Sequence, residues 1–332
     1  MNRYERQMKY QQFGEQSQIQ LQQTNILIMG AGALGSHVAE LLARMGAHKL
    51  SIIDMDIVEL SNLHRQALYD EHNAKEMLPK VFALKEKIKH INHNVELNAI
   101  HQEITPHNIE DIISNIQPDI VIDGMDQFDI RFLINEACHK LHIPWIYGAA
   151  VGSKGTVYGI DFTGPCLKCI LNTVPQTGES CAINGVLPPV VQQVASFEVS
   201  ELLRFVSGKG FSKKLVTLDT FEISTRTTNI NILKNDQCTV CEQNIYHALN
   251  ASPSPSIESL CGDAFLFRFK EHAFEFAHYF PGHIAKENSY VKFINYDDVN
   301  MTLFKDGRMN VRGLETKEHA EDMYQQLIKC IK

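Results

Sequence analysis

Four cysteines set the first chemical constraint. Cys166-Leu-Lys-Cys169 and Cys238-Thr-Val-Cys241 are two Cys-x-x-Cys pairs in a chain with 8 cysteines. Thiolates at that spacing converge on one ion, and four of them close a tetrahedral shell that suits Zn²⁺. The pairs are far apart in the chain, so such a site would clamp remote segments rather than build a local ribbon. Two redox dithiols are the alternative, but they need a thioredoxin-like context that the sequence does not supply. Four thiolates leave the ion no open position, so a structural role is expected. Cys181 stands apart in the glycine-bounded Gly178-Glu-Ser-Cys181-Ala-Ile-Asn-Gly185. An exposed thiol there can be a nucleophile or a passive loop residue.

A second constellation suits phosphate. Gly30-Ala-Gly32-Ala-Leu-Gly35 follows an apolar run at residues 25–29. Glycines turn the backbone tightly and admit phosphate oxygens, while the helix that follows offers unsatisfied N–H groups. Asp54 comes 19 residues after Gly35, a spacing suited to holding ribose hydroxyls. NAD, FAD and ATP are all compatible with such a turn, and the plain alternative is close helix–strand packing. The segment Ser61-Asn62-Leu63-His64-Arg65-Gln66, with Pro79-Lys80 after it, tilts the choice toward a triphosphate. A guanidinium and an ammonium offset the charge of a departing pyrophosphate, although two isolated basic residues are equally suited to solvated surface. Asp123-Gly-Met-Asp126-Gln-Phe-Asp129-Ile-Arg131 ends a buried strand, where open α/β sheets place ligands. There Asp126 can hold Mg²⁺ against phosphate oxygens. Asp129 is expected to cap the helix that begins near Ile130.

These residues need a scaffold, and the apolar spacing describes one. Val38, Leu41, Leu42 and Met45 share a helix face, Gly46 stops that helix, and residues 50–54 read as a second buried strand. Helices over 80–91, 109–116 and 130–141 then alternate with strands over 95–101, 119–123 and 145–147. The pattern is a Rossmann-like α/β fold with a mainly parallel sheet covered by helices. After Gly148 it continues into antiparallel strands, 155–162 and 215–223, around a long helix at 190–206. The expected organisation is one large nucleotide-binding domain over 1–250. It comprises an arm (1–23), a Rossmann-like part (24–150) and an antiparallel, zinc-clamped part (151–250). A Ser-Pro-Ser-Pro-Ser linker lies in 251–257. Residues 258–332 form a small α+β C-terminal domain, with a hairpin at Asp306-Gly307 and a helix over 316–331. The arm is Gln-rich and too poor in apolar residues to be helical alone, so it is expected to pack on something else.

Composition narrows the class. The chain has 332 residues, 44% of them apolar and 21% charged, and a net charge of −8. A mildly acidic chain without a basic run speaks against nucleic-acid or membrane-surface partners. No apolar stretch approaches the ~20 residues that span a bilayer. The charged N-terminus has no signal core, so a cytoplasmic location is expected. A reducing compartment agrees with cysteines used for metal rather than disulfides.

The order of the motifs resembles the MoeB/ThiF family of ubiquitin-activating-enzyme-like adenylyltransferases of sulfur-carrier proteins. The likeness rests on Arg3-Tyr4-x-Arg6-Gln7, Gly30-x-Gly32-x-x-Gly35, Asp54-x-Asp56, Ser61 to Gln66, Pro79-Lys80, Asp126-x-Phe128-x-x-Arg131, both cysteine pairs and Cys181-x-x-x-Gly185-Val186-Leu187. It covers about residues 1–245. The resemblance implies ATP-dependent adenylation of the C-terminal Gly-Gly carboxylate of a ubiquitin-fold carrier, with pyrophosphate released. It implies an ATP site of Gly30, Gly32, Gly35, Asp54, Ser61, Asn62, Leu63, His64, Arg65, Gln66, Lys80, Asp126 and Gln127. Arg65, Lys80 and a Mg²⁺-bearing Asp126 would carry the chemistry, and Cys166, Cys169, Cys238 and Cys241 would bind Zn²⁺. Arg6 matches an arginine finger that reaches the nucleotide of a partner subunit, which implies a homodimer. Cys181 matches the family's transferable cysteine.

A carboxylate is already ionised at neutral pH, so no general base is needed. Gln127 stands where the family usually has Asn, and the tail around Cys261 has no rhodanese-type loop, so sulfur transfer by the tail is not expected. The carrier is either the small subunit of molybdopterin synthase or that of thiamine biosynthesis, and general likeness favours the first. The competing classes are an NAD(P)-dependent oxidoreductase and a non-catalytic Rossmann-like protein-binding scaffold.

Overall fold

A computed structural model describes residues 2–171, 185–252, 255–260 and 264–331, so Cys181 and Cys261 lie outside the described residues. The chain divides into two units, Met1–Lys75 with Pro79–Ala251, and Glu76–Leu78 with Ser252–Lys332.

The first unit is built on one eight-stranded sheet. Its strands are β1 (Asn25–Met29), β2 (Lys49–Asp54), β3 (Glu96–His101), β4 (Ile120–Asp123), β5 (Trp145–Val151), β6 (Lys154–Ile160), β7 (Lys214–Asp219) and β8 (Ser224–Asn229). They lie in the order β3-β2-β1-β4-β5-β6-β7-β8. Pairing is parallel from β3 through β5 and antiparallel from β5 to β8. The fold expected from the sequence is the one observed. Ile26, Leu27, Ile28 and Met29 of β1 are all buried, as a strand covered on both faces requires. Ile26 and Ile28 join the core on one face, and Leu27 and Met29 the core on the other.

Helices close those faces: α1 (Glu5–Met8), α2 (Gly14–Gln23), α3 (Ala33–Met45), α4 (Glu71–Lys75), α5 (Lys80–Ile91), α6 (Ile109–Ile116), α7 (Phe128–Lys140), α8 (Leu167–Ile170) and α9 (Pro188–Val206). In α3, Leu34, Val38 and Leu42 are buried at helical spacing, and each such side chain contributes about 1.5–3 kcal/mol of transfer free energy. Gly46 ends α3 in the left-handed conformation, φ +89. The Tyr4 ring occupies the place its Cβ would take.

The arm is tied to its own unit. Tyr4 Oη accepts from Asn92 Nδ2 at 2.9 Å, Arg3 Nη1 donates to the Ile91 carbonyl at 2.9 Å, and Gln7 Nε2 donates to the Met45 carbonyl at 2.8 Å. Polar anchoring thus replaces the apolar face that the arm lacks.

Two local expectations change. Helix α7 starts at Phe128 behind an extended Gln127, so Asp129 falls in the first turn and is not the cap. Its charge still suits the helix N-terminus. β8 was not expected, because all six of its residues are exposed and show no apolar alternation.

The second unit contains a six-stranded antiparallel sheet of β9 (Ile257–Leu260), β10 (Ala264–Arg268), β11 (His283–Glu287), β12 (Val291–Tyr296), β13 (Val299–Phe304) and β14 (Arg308–Arg312). Its order is β11-β12-β13-β14-β10-β9. Helix α10 (Lys317–Ile331) buries Ala320, Met323, Tyr324 and Leu327 in a core with Phe267, Leu303 and Met309. Among the described residues, no helix is long and apolar enough to cross a membrane.

Candidate functional site

The strand order reverses at β1, whose neighbours are β2 and β4, and open α/β sheets bind ligands in the crevice beyond such a switch point. The glycine turn and the segment after Asp123 both lie there. Gly30 has φ +99, and a Cβ on it would stand 2.5 Å from the Gly124 carbonyl oxygen. A Cβ on Gly124 would stand 2.7 Å from the Gly30 oxygen, and one on Gly35 would strike the Gly30 carbonyl. These three glycines serve close packing. Gly32 differs: its nearest neighbours, Gln66 Nε2 and the Gly124 oxygen, are both 4.0 Å from a Cβ position. A Cβ on Gly32 would thus meet both atoms at ordinary van der Waals distance, so packing does not demand glycine there. Gly32 also precedes α3 without any side-chain cap bond, so first-turn N–H groups are left for an anion.

Acidic and basic groups gather around this turn. Asp54 accepts from the Ala31 N–H through Oδ2 and from the Asp56 N–H through Oδ1, both at 2.7 Å. Burial raises its pKa above the ordinary aspartate value, with Lys80 acting in the opposite direction. Lys80 is buried at the start of α5 and pairs with Asp56 at 2.9 Å. Burial works against its charge, yet Asp56, Asp54 and Asp126 together raise its pKa above that of a free lysine. Tyr69 Oη donates to the Ala31 carbonyl at 2.8 Å. Gln66 is buried, and among the described residues its Oε1 has no hydrogen-bond partner. Uncapped first-turn N–H groups, an unpartnered acceptor and a fixed ammonium fit a polar, phosphorylated ligand.

The structure distributes the remaining candidates less evenly. Asp126 and Gln127 are exposed at the mouth of the crevice, and the field of Asp126 reaches both Lys80 and Arg131. Arg65 Nη1 donates to the Ser61 carbonyl at 2.9 Å, so its guanidinium rests on its own turn. Ser61 and His64 are exposed, and Asn62 and Leu63 half-buried, in the same turn. Arg6 is exposed on α1. Sequence reasoning missed Tyr69, the role of Asp56, and the buried pair of Asp123 and Arg131. The Asp54-x-Asp56 and Asp126-x-Phe128-x-x-Arg131 motifs contain Asp56 and Arg131 but do not show what these residues contact.

The four cysteines meet at one point. The Sγ atoms of Cys166, Cys169, Cys238 and Cys241 all lie within 4.8 Å of one another. Cys166 is 3.8 Å from Cys169 and 3.7 Å from Cys238, and Cys169 is 3.5 Å from Cys241. Zn–S bonds of about 2.3 Å at tetrahedral angles require sulfurs roughly 3.8 Å apart. A hydrogen bond from Cys166 lowers the Cys169 thiol to about 4, and burial raises Cys241 to about 11. Lys234 Nζ lies 3.3 Å from Cys241 Sγ, where its charge favours thiolate. Asn135 Oδ1 accepts from the Leu167 N–H at 3.0 Å, fixing the first pair on α7. The donor set and spacing fit a closed structural zinc site.

Known proteins decide the family. The sequence profile of the ThiF family matches residues 4–240. The chain belongs to the ThiF family. A Bacillus subtilis protein named sulfur carrier protein ThiS adenylyltransferase is 31% identical, over 98% of this chain and 99% of its own length. A Culex quinquefasciatus protein named adenylyltransferase and sulfurtransferase MOCS3 is 32% identical over 73% of this chain, and the chain spans about half of it, 55%. Among solved structures, Escherichia coli MccB crystallised with ATP superposes with a TM-score of 0.62 at 22% identity, over 72% of this chain and 74% of that one. That likeness is one of fold.

Proposed function

We propose that this ThiF-family chain adenylates the C-terminal Gly-Gly carboxylate of a ubiquitin-fold sulfur carrier at the expense of ATP. The observation that carries the reading is the crevice itself. A buried, charged Lys80 lies within the fields of Asp54 and Asp126, and the same crevice holds an uncapped α3 N-terminus and a Gln66 Oε1 with no partner among the described residues.

In this reading a carboxylate oxygen of the carrier bonds to the α-phosphorus and the bond to pyrophosphate breaks, with no proton to move. Asp54 orients the ribose, and α3 and Lys80 hold phosphate oxygens. Arg65 would have to leave the Ser61 carbonyl to join them. Asp126 would hold Mg²⁺, which when bound supplies Lewis-acid stabilisation of the leaving group. Fixed cations at a leaving group are the main lever for such a transfer, because they need no reorganisation during the reaction.

The relation to the ThiS adenylyltransferase runs over 98% of the chain and so takes in the C-terminal unit, whereas the MOCS3 relation covers 73%. That difference favours a ThiS-type carrier over the molybdopterin carrier that general likeness suggests. Incubation with ATP and each type of carrier, followed by mass spectrometry, is expected to show added AMP on the ThiS-type carrier. AMP on neither carrier would sink the proposal.

We also propose that the protein works as a homodimer in the cytoplasm, with Arg6 serving the partner's nucleotide. The arm is anchored through Tyr4 at Gly46, the far end of α3 from Gly32. At 1.5 Å rise per residue that end is roughly 20 Å away, which places Arg6 poorly for its own turn. Mixing Arg6→Ala and Asp126→Ala proteins is expected to restore about a quarter of the activity, since random exchange leaves half the dimers with one intact site. No recovery after verified subunit exchange would exclude a shared site.

A further inference from the structure

The loop that carries Asp126 is held by its neighbours. The Gly124 N–H donates to the Met29 carbonyl at the end of β1, 2.7 Å away. The Met125 N–H donates to Asp123 Oδ1 at 2.9 Å, and the Met125 carbonyl accepts from Arg131 Nη2 at 2.5 Å. Arg131 is nearly sealed, with 4% of its side chain exposed. Its Nε donates to Asp123 Oδ2 at 2.8 Å, and Nη2 also donates to the Gly148 carbonyl on β5 at 2.7 Å. The Phe128 and Tyr147 rings flank the guanidinium, each with its centroid 5.4 Å from the central carbon. One rigid fork thus ties the end of β4, the loop and β5 together, a geometry that a single ammonium cannot reproduce.

Behind Gly148 stands Glu198 of α9. It is fully buried, and among the described residues neither carboxyl oxygen has a hydrogen-bond partner. A Cβ on residue 148 would strike this carboxyl, so the strand passes directly against it. Burial pushes the Glu198 pKa well above the usual carboxylate range, and Asp123 pushes it further. A neutral acid there does not draw the guanidinium away from Asp123 and the loop.

We propose that Arg131 is the positioning residue for the Asp126 carboxylate, and that Glu198, packed behind Gly148, seats the β5 end of the same fork. The functional part of this inference rests on the adenylation reading, because it gives Asp126 its task of holding Mg²⁺. Arg131 touches neither nucleotide nor carrier in this scheme and acts through the loop.

The test uses the full chain with Arg131→Lys, Arg131→Met, Glu198→Gln and Glu198→Ala, assayed by carrier-dependent pyrophosphate–ATP exchange over a Mg²⁺ titration. Arg131→Met is expected to raise the half-saturating Mg²⁺ concentration at least tenfold and Arg131→Lys less, while the KM for carrier changes under twofold. Without nucleotide or metal, amide hydrogen exchange of residues 124–127 should speed up in both variants, with β2 unchanged. Glu198→Gln, neutral and similar in shape, should stay within twofold of the parent protein. Glu198→Ala should shift the Mg²⁺ dependence in the direction of Arg131→Lys.

A folded Arg131→Lys protein with the parental Mg²⁺ dependence and parental exchange at 124–127 would overturn the proposal. So would stability loss spread evenly over the sheet with no change in Mg²⁺ dependence. A Glu198→Gln protein as impaired as Glu198→Ala would remove the neutral-acid role. Absence of pyrophosphate exchange in the parent protein would count against the adenylation reading, and the amide-exchange result would still decide whether Arg131 holds the loop.

Discussion

Asp126→Ala is expected to lower carrier-dependent exchange of labelled pyrophosphate into ATP by on the order of 10²–10³-fold, the range typical for loss of one preorganised charge-stabilising contact. The side chain is exposed at the crevice mouth, and its loop is held by backbone bonds and Arg131. Thermal unfolding should therefore barely move. On the proposed reading this carboxylate holds Mg²⁺, which alanine cannot do, so added Mg²⁺ should recover little. Lys80→Met would be harder to interpret, since it removes an ion-pair partner of Asp56 and the cation that opposes the upward shift of the Asp54 pKa. The variant at 126 separates chemistry from folding because its side chain is exposed. Parental exchange in Asp126→Ala would remove this residue from the mechanism.

The second large effect concerns the thiolate cluster. Metal analysis of the purified protein is expected to find about one Zn²⁺ per chain, with Cys238→Ser losing it. The cluster joins α8 to a segment beyond β8, and so closes a loop of about 70 residues. By chain-entropy arithmetic, a cross-link of that length is worth about 4 kcal/mol. For a domain of this size that corresponds to roughly 10 °C in Tm. A chelator should lower the Tm of the parent protein by a similar amount and leave Cys238→Ser unchanged. Equal zinc content in both proteins would contradict a four-thiolate site.

Much of the scaffold could be read because its residues announce it locally. Helices α5 and α6 begin and end at the residues that periodicity indicates, Lys80–Ile91 and Ile109–Ile116. The two Cys-x-x-Cys pairs were legible because thiolate spacing has few other uses. β8 was not, since strand patterns are read from burial and Ser224–Asn229 has none. The start of α7 shifted because an extended Gln127 carries out the turn that Asp129 was expected to make. In the crevice, the glycines, Asp54, Lys80 and Asp126 follow from their types and spacing. Arg131 and Glu198 do not, because their roles depend on contacts across β4, β5 and α9 that no local pattern encodes. Gly32 shows the same limit from the other side: it shares a motif with Gly30 and Gly35, and only the three-dimensional packing separates the glycine where a Cβ would fit from those where it would clash.

The mixed pairing of the first unit also bears on how the chain reaches its native state. β5 and β6 are joined by a short turn, and so are β7 and β8, so these hairpins close at little entropic cost. β1 must instead find β4, aligning Ile26 with Ile120 across nearly a third of the chain. Distant parallel pairing of this kind is slow. That late step also brings Gly124 against Gly30, so the nucleotide crevice is completed only when the sheet is. A ligand of the crevice would therefore stabilise the finished unit alone, drawing the folding equilibrium forward without rescuing partly assembled chains.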